Sequence, residues 1–253
     1  MSSLEVSGLT KQFGGVKAVD GVSFSIRSGT VHAVIGPNGA GKTTLFNLIT
    51  GLYAPSAGEV RFDGRPLAGA QPHELARLGM SRTFQNLQVC LNMPALENVM
   101  VGAHLRLPQG LWSSLLHLPG LRRADRECRA QAAELMDFVG IGAFRGAHAS
   151  ELPYGVLKRL EIARALAARP KMLLLDEPAA GLNDTETREV EALIRRIAAG
   201  GTTVVLVEHD MKLVMNLSDH ILVLDHGRKL AEGTAAEVRA NPDVIAAYLG
   251  TAA

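Results

Sequence analysis

The chain is short of cysteine, of net charge and of long apolar runs. Cys90 and Cys128 are the only thiols among 253 residues. They fit neither a metal-ligand spacing nor a disulfide framework, so a reducing compartment is expected. The formal charge is +1, which leaves no strong field to attract nucleic acid or anionic lipid. No uninterrupted apolar run approaches the span of a bilayer. Met1-Ser2-Ser3-Leu4-Glu5-Val6 lacks the basic start and apolar stretch of a signal peptide. Membrane association is therefore expected only through a partner. Internal repeats, low-complexity tracts and sustained heptads are missing too. What is present is 47% apolar and 20% charged residues, a composition suited to a globular protein with a substantial core.

The most informative stretch is Gly36-Pro37-Asn38-Gly39-Ala40-Gly41-Lys42-Thr43, which fits the phosphate-binding loop pattern. Its glycines let backbone N–H groups turn inward and approach phosphates without a Cβ clash. Lys42 is expected to reach the β- and γ-phosphates of a nucleoside triphosphate, and the Thr43 hydroxyl to ligate Mg²⁺. Val31 to Ile35 reads as a buried strand entering the loop. Thr44 to Ile49 reads as a helix leaving it, stopped by Gly51, and the start of that helix adds its positive dipole end. Strand, glycine loop and helix is the order the motif requires.

A second nucleotide signature is Met172-Leu173-Leu174-Leu175-Asp176-Glu177. An apolar strand delivers two acids at its carboxyl end, where α/β sheets bind ligands. Asp176 is expected to hold Mg²⁺ through water, and Glu177 to polarise the attacking water as a general base. Val204 to Val207, followed by Glu208-His209, repeats the design, so His209 is expected near the same sheet edge, within reach of the γ-phosphate.

The coarse organisation is α/β. Short strands are expected over Leu4 to Thr10, Gly21 to Ile26 and Glu59 to Phe62. Residues 95–142 change character: Leu96 to Val101 and Arg122 to Phe138 carry helical periodicity. Pro108-Gln109-Gly110 and Pro119-Gly120 read as loops between them. Beyond this helical insertion come a helix over Val156 to Ala168, a strand over Lys171 to Leu175 and a helix over Asp184 to Ala199. A hairpin turns at Asp225-His226-Gly227, and the tail from Ala235 to Leu249 reads as helical. Strands alternating with helices imply a mainly parallel sheet.

Lys42 and Asp176 stand farther apart than in compact GTPases or simple kinases, with the helical insertion between them. With this motif set the chain resembles the ATP-binding cassette (ABC) ATPases over almost its whole length. The resemblance implies a P-loop NTPase α/β core with an antiparallel β subdomain and an inserted α-helical subdomain. Residues 1–94 and 148–253 would form the core, and 95–147 the insertion. ATP and Mg²⁺ are the implied ligands, with Gly36 to Lys42, Thr43 and Thr44 around the nucleotide. Phe13 falls where the family stacks an aromatic on adenine. Gln85 resembles the glutamine that senses Mg²⁺ and the attacking water. Leu152-Pro153-Tyr154-Gly155-Val156 stands where the signature Leu-Ser-Gly-Gly-Gln belongs, a segment that completes the partner subunit's site. Ala180-Gly181-Leu182-Asn183 stands at the loop facing the opposite subunit.

Two departures matter. Only Leu152 and Gly155 of the signature are kept, and Pro153 offers neither hydroxyl nor backbone N–H. Losing one charge-assisted bond costs roughly 1.5–3 kcal/mol if nothing replaces it. Weaker dimer closure is therefore expected, rather than loss of activity. Asn183 replaces an aspartate frequent at its site.

Several stretches narrow the resemblance: Phe13 to Val19, Ser81 to Asn86, Leu96 to Gly102, Glu177 to Asn183 and Ala246 to Gly250. Together with an insert over Leu107 to Arg122, they are similar to ATPase subunits of branched-chain amino acid importers of the LivG type. That implies a second ATPase subunit, identical or homologous, two membrane permeases and indirectly a periplasmic binding protein. It also implies the cytoplasmic face of the inner membrane, and no nucleic acid. Leucine, isoleucine and valine are the default cargo, though relatives carry urea, amides or aromatic acids. A soluble ABC ATPase acting on DNA or ribosomes is the alternative, but it usually carries coiled coils or tandem cassettes. A cassette that binds ATP without turnover is a further one, against which Lys42, Asp176, Glu177 and His209 argue. The apolar loop Leu87 to Met93, beside Gln85, suits a socket for a permease helix. Arg122, Arg123, Arg126 and Arg129, interleaved with Asp125 and Glu127, read as a solvated helix face.

Overall fold

The structure is a computed structural model that describes residues 2–104 and 119–249. These fall into two compact units, Met1–Met80 with Lys171–Ala253, and Ser81–Pro170. Most of the Leu107 to Arg122 insert, with Pro108-Gln109-Gly110, lies outside the described residues.

In the first unit, β1 (Ser2–Phe13) and β2 (Val16–Arg27) form a long antiparallel hairpin around Gly14-Gly15. In β2, Val22, Phe24 and Ile26 are buried while the residues between them face outward, the alternation of a sheet with one covered face. With β4 (Ala57–Phe62) and β5 (Arg65–Pro66) they make a sheet of order β2-β1-β4-β5, the expected antiparallel layer. The second sheet has the order β10-β9-β3-β8-β7-β6. Its strands are β3 (Val31–Ile35), β6 (Met80–Arg82), β7 (Met172–Asp176), β8 (Thr203–Val207), β9 (His220–Asp225) and β10 (Arg228–Gly233). Every residue of β3, β7 and β8 is buried. They run parallel, as expected for a sheet covered on both faces.

Among the described residues the α-helices in chain order are α1 (Lys42–Ile49), α2 (Pro72–Leu78), α3 (Ala95–Gly102), α4 (Pro119–Phe138), α5 (Tyr154–Ala167), α6 (Asp184–Ala199), α7 (Met211–Leu217), α8 (Ala235–Ala240) and α9 (Pro242–Leu249). α1 buries Leu45, Phe46, Leu48 and Ile49 in the core that also takes Leu174, Val205 and Leu222 from the sheet. That packing fixes the loop in front of it. In the second unit α3, α4 and α5 pack on one another. Gly102 lets α3 approach α5 closely, since a Cβ there would lie 1.9 Å from the Arg164 carbonyl oxygen.

One expectation is corrected and two details are added. Pro119-Gly120 is helical, because proline's fixed φ and missing N–H suit the first turn of a helix. The tail is two helices, split at Asn241, because Pro242 keeps the residue before it out of the helical region. α2 and α7 are short helices that periodicity did not reveal; each has a side-chain cap, Gln71 with Glu74 in one and Asp210 in the other.

Candidate nucleotide site

Register puts the candidate residues together. In the parallel ladder Asp176 pairs with Val207, and Val207 with Val34. The carboxyl ends of β3, β7 and β8 therefore share one edge. The glycine loop, Asp176-Glu177 and Glu208-His209 all leave the sheet there, as α/β geometry favours for a ligand site.

The loop is tightly seated. Gly36 has no room for a side chain, since a Cβ would meet the Leu224 carbonyl oxygen at 2.1 Å. Gly41, with φ 99°, caps α1 and would bring a Cβ to 2.4 Å from the Ala18 carbonyl oxygen. The Ala40 N–H donates to the Pro37 carbonyl at 3.2 Å, and the Gly227 N–H to the Ala40 carbonyl at 3.1 Å. Asn38 and Gly39 are exposed at the loop's tip, and Thr43 is exposed in the first turn of α1 with Thr44 half-buried beside it. Lys42 Nζ donates to the carbonyls of Gly36 (2.7 Å) and Pro37 (2.9 Å), so its ammonium lies within the loop. Burial pulls the Lys42 pKa down, and the negative charge of Glu177 opposes this.

At the facing strand ends Asp176 is buried and Glu177 half-buried. Glu177 has φ 48°, a left-handed conformation unusual for a side chain of its size. Its N–H donates to the Val207 carbonyl at 3.0 Å. His209 Nδ1 lies 3.9 Å from Glu177 Oε1 and 3.8 Å from Glu208 Oε2. The two polar strand ends thus lie side by side.

Phe13 is not a core residue. It is 45% exposed, with its ring edge-to-face on Tyr53 at 5.4 Å and the Lys11 ammonium 5.0 Å from its centre. An exposed ring held this way can stack on a flat ligand.

Gln85 and the signature segment belong to the second unit. Gln85 is exposed. Pro153 is the N-cap of α5, with no side-chain cap bond, and Leu152 and Gly155 are buried. Tyr154 is exposed, with the Lys158 ammonium 5.8 Å from its ring centre. The first N–H groups of α5 lack intrahelical partners, as at any helix start. Asn183 caps α6: its Oδ1 accepts from Thr185 N and Glu186 N, both at 3.0 Å. A cap needs only an acceptor oxygen, which asparagine supplies as well as aspartate.

Two residues were not legible as site residues. Glu208 is 1% exposed; its Oε1 accepts from the Ala179 N–H at 2.8 Å and its Oε2 from the His209 N–H at 3.2 Å. It ties the segment after Glu177 to the segment carrying His209, and burial pushes its carboxyl pKa up. An acid directly before His209 was the only signal. Tyr248, in the last helix, is hydrogen-bonded to the Gly36 backbone, and burial raises its phenol to about 12. No local pattern pairs residues so far apart.

Known proteins resemble this chain in sequence and in fold. Residues 19–180 match the ABC transporter family, and residues 228–253 match the branched-chain amino acid ATP-binding cassette transporter family. The chain is 48% identical over 250 residues to the high-affinity branched-chain amino acid transport ATP-binding protein BraF of Pseudomonas aeruginosa, covering 98% of both. It is 45% identical over 250 residues to LivG of Escherichia coli K12, a protein of the same description, again covering 98% of both. Among solved structures, a nucleotide-free ATP-binding cassette from an ABC transporter superposes with TM-score 0.86 at 33% identity, over 98% of this chain and 99% of that one. A dimeric bacterial ABC transporter cassette superposes with TM-score 0.78 at 26% identity, over 92% and 98%. This chain belongs to the ABC transporter family, as an ATP-hydrolysing cassette of the branched-chain amino acid transporter type.

Proposed function

We propose that the chain powers import of branched-chain or related amino acids through a membrane permease. The observation that carries the mechanism is the shared carboxyl edge of β3, β7 and β8, which gathers Lys42, Asp176, Glu177 and His209. The cargo assignment is supported by the identity to BraF and LivG along nearly the whole chain.

The loop from Gly36 to Gly41 wraps the phosphates with backbone N–H groups. Lys42 then exchanges its loop carbonyls for β- and γ-phosphate oxygens, and Phe13 stacks on the adenine. Glu177 takes a proton from the attacking water, and His209 holds the γ-phosphate while Glu208 fixes the backbone on either side. Mg²⁺ fits the donors present, the exposed Thr43 hydroxyl and the Asp176 carboxylate. Among the described residues no cluster of three His, Cys, Asp or Glu forms a protein cage. A hard cation held mainly by phosphate oxygens and water needs none. Bound there, Mg²⁺ would neutralise charge on the phosphates. Gln85 would sense the metal and the attacking water, the role the family resemblance implies for it.

The functional form is a dimer of cassettes, identical or homologous, in which Gly155 and the N-terminus of α5 face the partner's γ-phosphate. Two permeases and a periplasmic binding protein complete the importer, with this chain on the cytoplasmic face of the inner membrane. Among the described residues no helix is long and apolar enough to cross a membrane. The exposed Phe84 and Leu91 near Gln85 offer a permease helix its apolar contacts.

Reconstituting the chain with its permeases and binding protein tests this. ATP turnover should rise with leucine, isoleucine or valine. Stimulation by urea, an amide or an aromatic acid alone would reassign the cargo, and no stimulation by any solute would remove the transport role.

A further inference from the structure

The loop carrying Gln85 and the apolar docking residues is anchored by side chains that no role above explains. Glu161 lies two turns into α5 and is 5% exposed. Its Oε1 accepts from the N–H of Phe84 at 3.2 Å and from the N–H of Gln88 at 3.5 Å, so the carboxylate brackets Gln85. One turn on, Arg164 Nη1 donates to the Gln88 carbonyl.

The far end of the loop is held as well. The Ser150 and Ala149 N–H groups donate to the carbonyls of Leu91 and Met93, both at 3.1 Å. Pro94 and His148 form an antiparallel bridge. Asn98, fully buried, accepts from Cys90 N at 2.8 Å and donates to the carbonyls of Cys90, Met93 and Pro94. Thus the loop is bonded to residues just before the signature segment and to residues just after it.

A buried carboxylate is costly unless its acceptors are used. Burial raises the Glu161 pKa, and the Phe84 and Gln88 N–H groups oppose that rise. An apolar side chain would fill the space but leave two backbone donors unsatisfied.

We propose that Glu161 is a positioning residue whose buried carboxylate fixes the Gln85 loop to the signature helix, so that Gln85, the docking loop and Leu152 to Gly155 move as one body during turnover. This rests on the role assigned above to Gln85.

The test uses the full chain at saturating Mg²⁺ and ATP. Glu161→Ala should lower kcat about tenfold, with KM for ATP changed less than about twofold, because the proposed nucleotide contacts lie in the first unit. Glu161→Gln keeps an acceptor oxygen at the same reach and should retain kcat within about twofold. Amide hydrogen exchange over residues 84–88 should quicken in the alanine variant and not in the glutamine variant. Wild-type kcat in Glu161→Ala, or a glutamine variant as impaired as the alanine one, overturns the proposal. Should the alanine variant not fold, Glu161→Asp replaces it: the carboxylate withdrawn by one methylene should lose kcat where glutamine keeps it, and equal activity overturns the idea. Gln85→Ala separates the two claims. If it leaves turnover unchanged, the role of Gln85 fails. If it lowers turnover while Glu161→Ala does not, only the positioning link fails.

Discussion

Glu177 stands in a backbone conformation that most side chains avoid, held by its N–H bond to Val207 at the mouth of the glycine loop. Strain of this kind persists where the surrounding structure over-determines it. With Glu177 as general base, Glu177→Gln should lower ATP turnover by about 10²–10⁴-fold while ATP still binds. Phosphate release and nucleotide binding measured side by side check this, and unchanged turnover would take the residue out of the base role. Pro153 is the residue where this chain departs furthest from the signature. It caps α5 without a side-chain bond. Pro153→Ser should strengthen ATP-driven dimerisation, read by sedimentation. An unchanged dimer affinity would mean that the helix start and Gly155 suffice. Lys42, Asp176 and Glu177 were legible because their motifs are local. Glu208 and Tyr248 were not, because what they do depends on neighbours that only folding supplies.

At the scale of elements, β3 carries a titratable group in its buried face. His32 is 7% exposed, and its ring lies 5.4 Å from that of His220 on the adjacent strand. Burial, with His220 and Arg27 in the same sense and Asp219 opposed, lowers its pKa from 6.5 to about 4. The folded state therefore binds fewer protons than the unfolded chain between these values. Stability should be full above pH about 6.5 and fall as pH drops to about 4, by about 3 kcal/mol in total from this group. Glu161 and Glu208, both raised, act in the opposite sense. The measurement is accordingly the difference between wild type and His32→Phe in urea unfolding across that range. Parallel slopes would show that His32 does not titrate as described. On α6, Asn183→Ala should cost about 1 kcal/mol through the lost cap, whereas Asn183→Asp should change stability little. Thermal unfolding separates the two, and an equal loss in both would refute the cap as the reason. The buried strands β3, β7 and β8 and helix α6 were legible in the sequence, whereas β1 and β2 run well beyond the short strands expected there. The split at Asn241 and the helical start at Pro119 were not read from composition, because proline's effect depends on which side of a helix boundary it falls.

For the whole molecule, the composite site proposed above requires that dimer formation and turnover depend on the same nucleotide. With Glu177→Gln blocking hydrolysis, ATP and Mg²⁺ should convert the chain to a dimer on size exclusion, and EDTA should return it to monomer. A dimer that ignores nucleotide would contradict the sandwich. Local motifs do not by themselves fix where compact units end. The contacts gather Ser81–Pro170, so α5 and its signature segment sit with the Gln85 loop in one unit.

The motifs behind the proposed nucleotide chemistry are local. The glycine loop, the acids at the end of β7 and His209 after β8 are each written in a few consecutive residues, and their family follows from the set. How these pieces are held emerges on folding. Parallel register brings three strand ends to one edge, a buried Glu208 joins two of them, and a buried Glu161 bonds the Gln85 loop to the helix after the signature. The physical reason is that a motif specifies which groups can act. The partners that satisfy buried carboxylates and loop backbones come from distant parts of the chain, and burial alone makes those bonds obligatory.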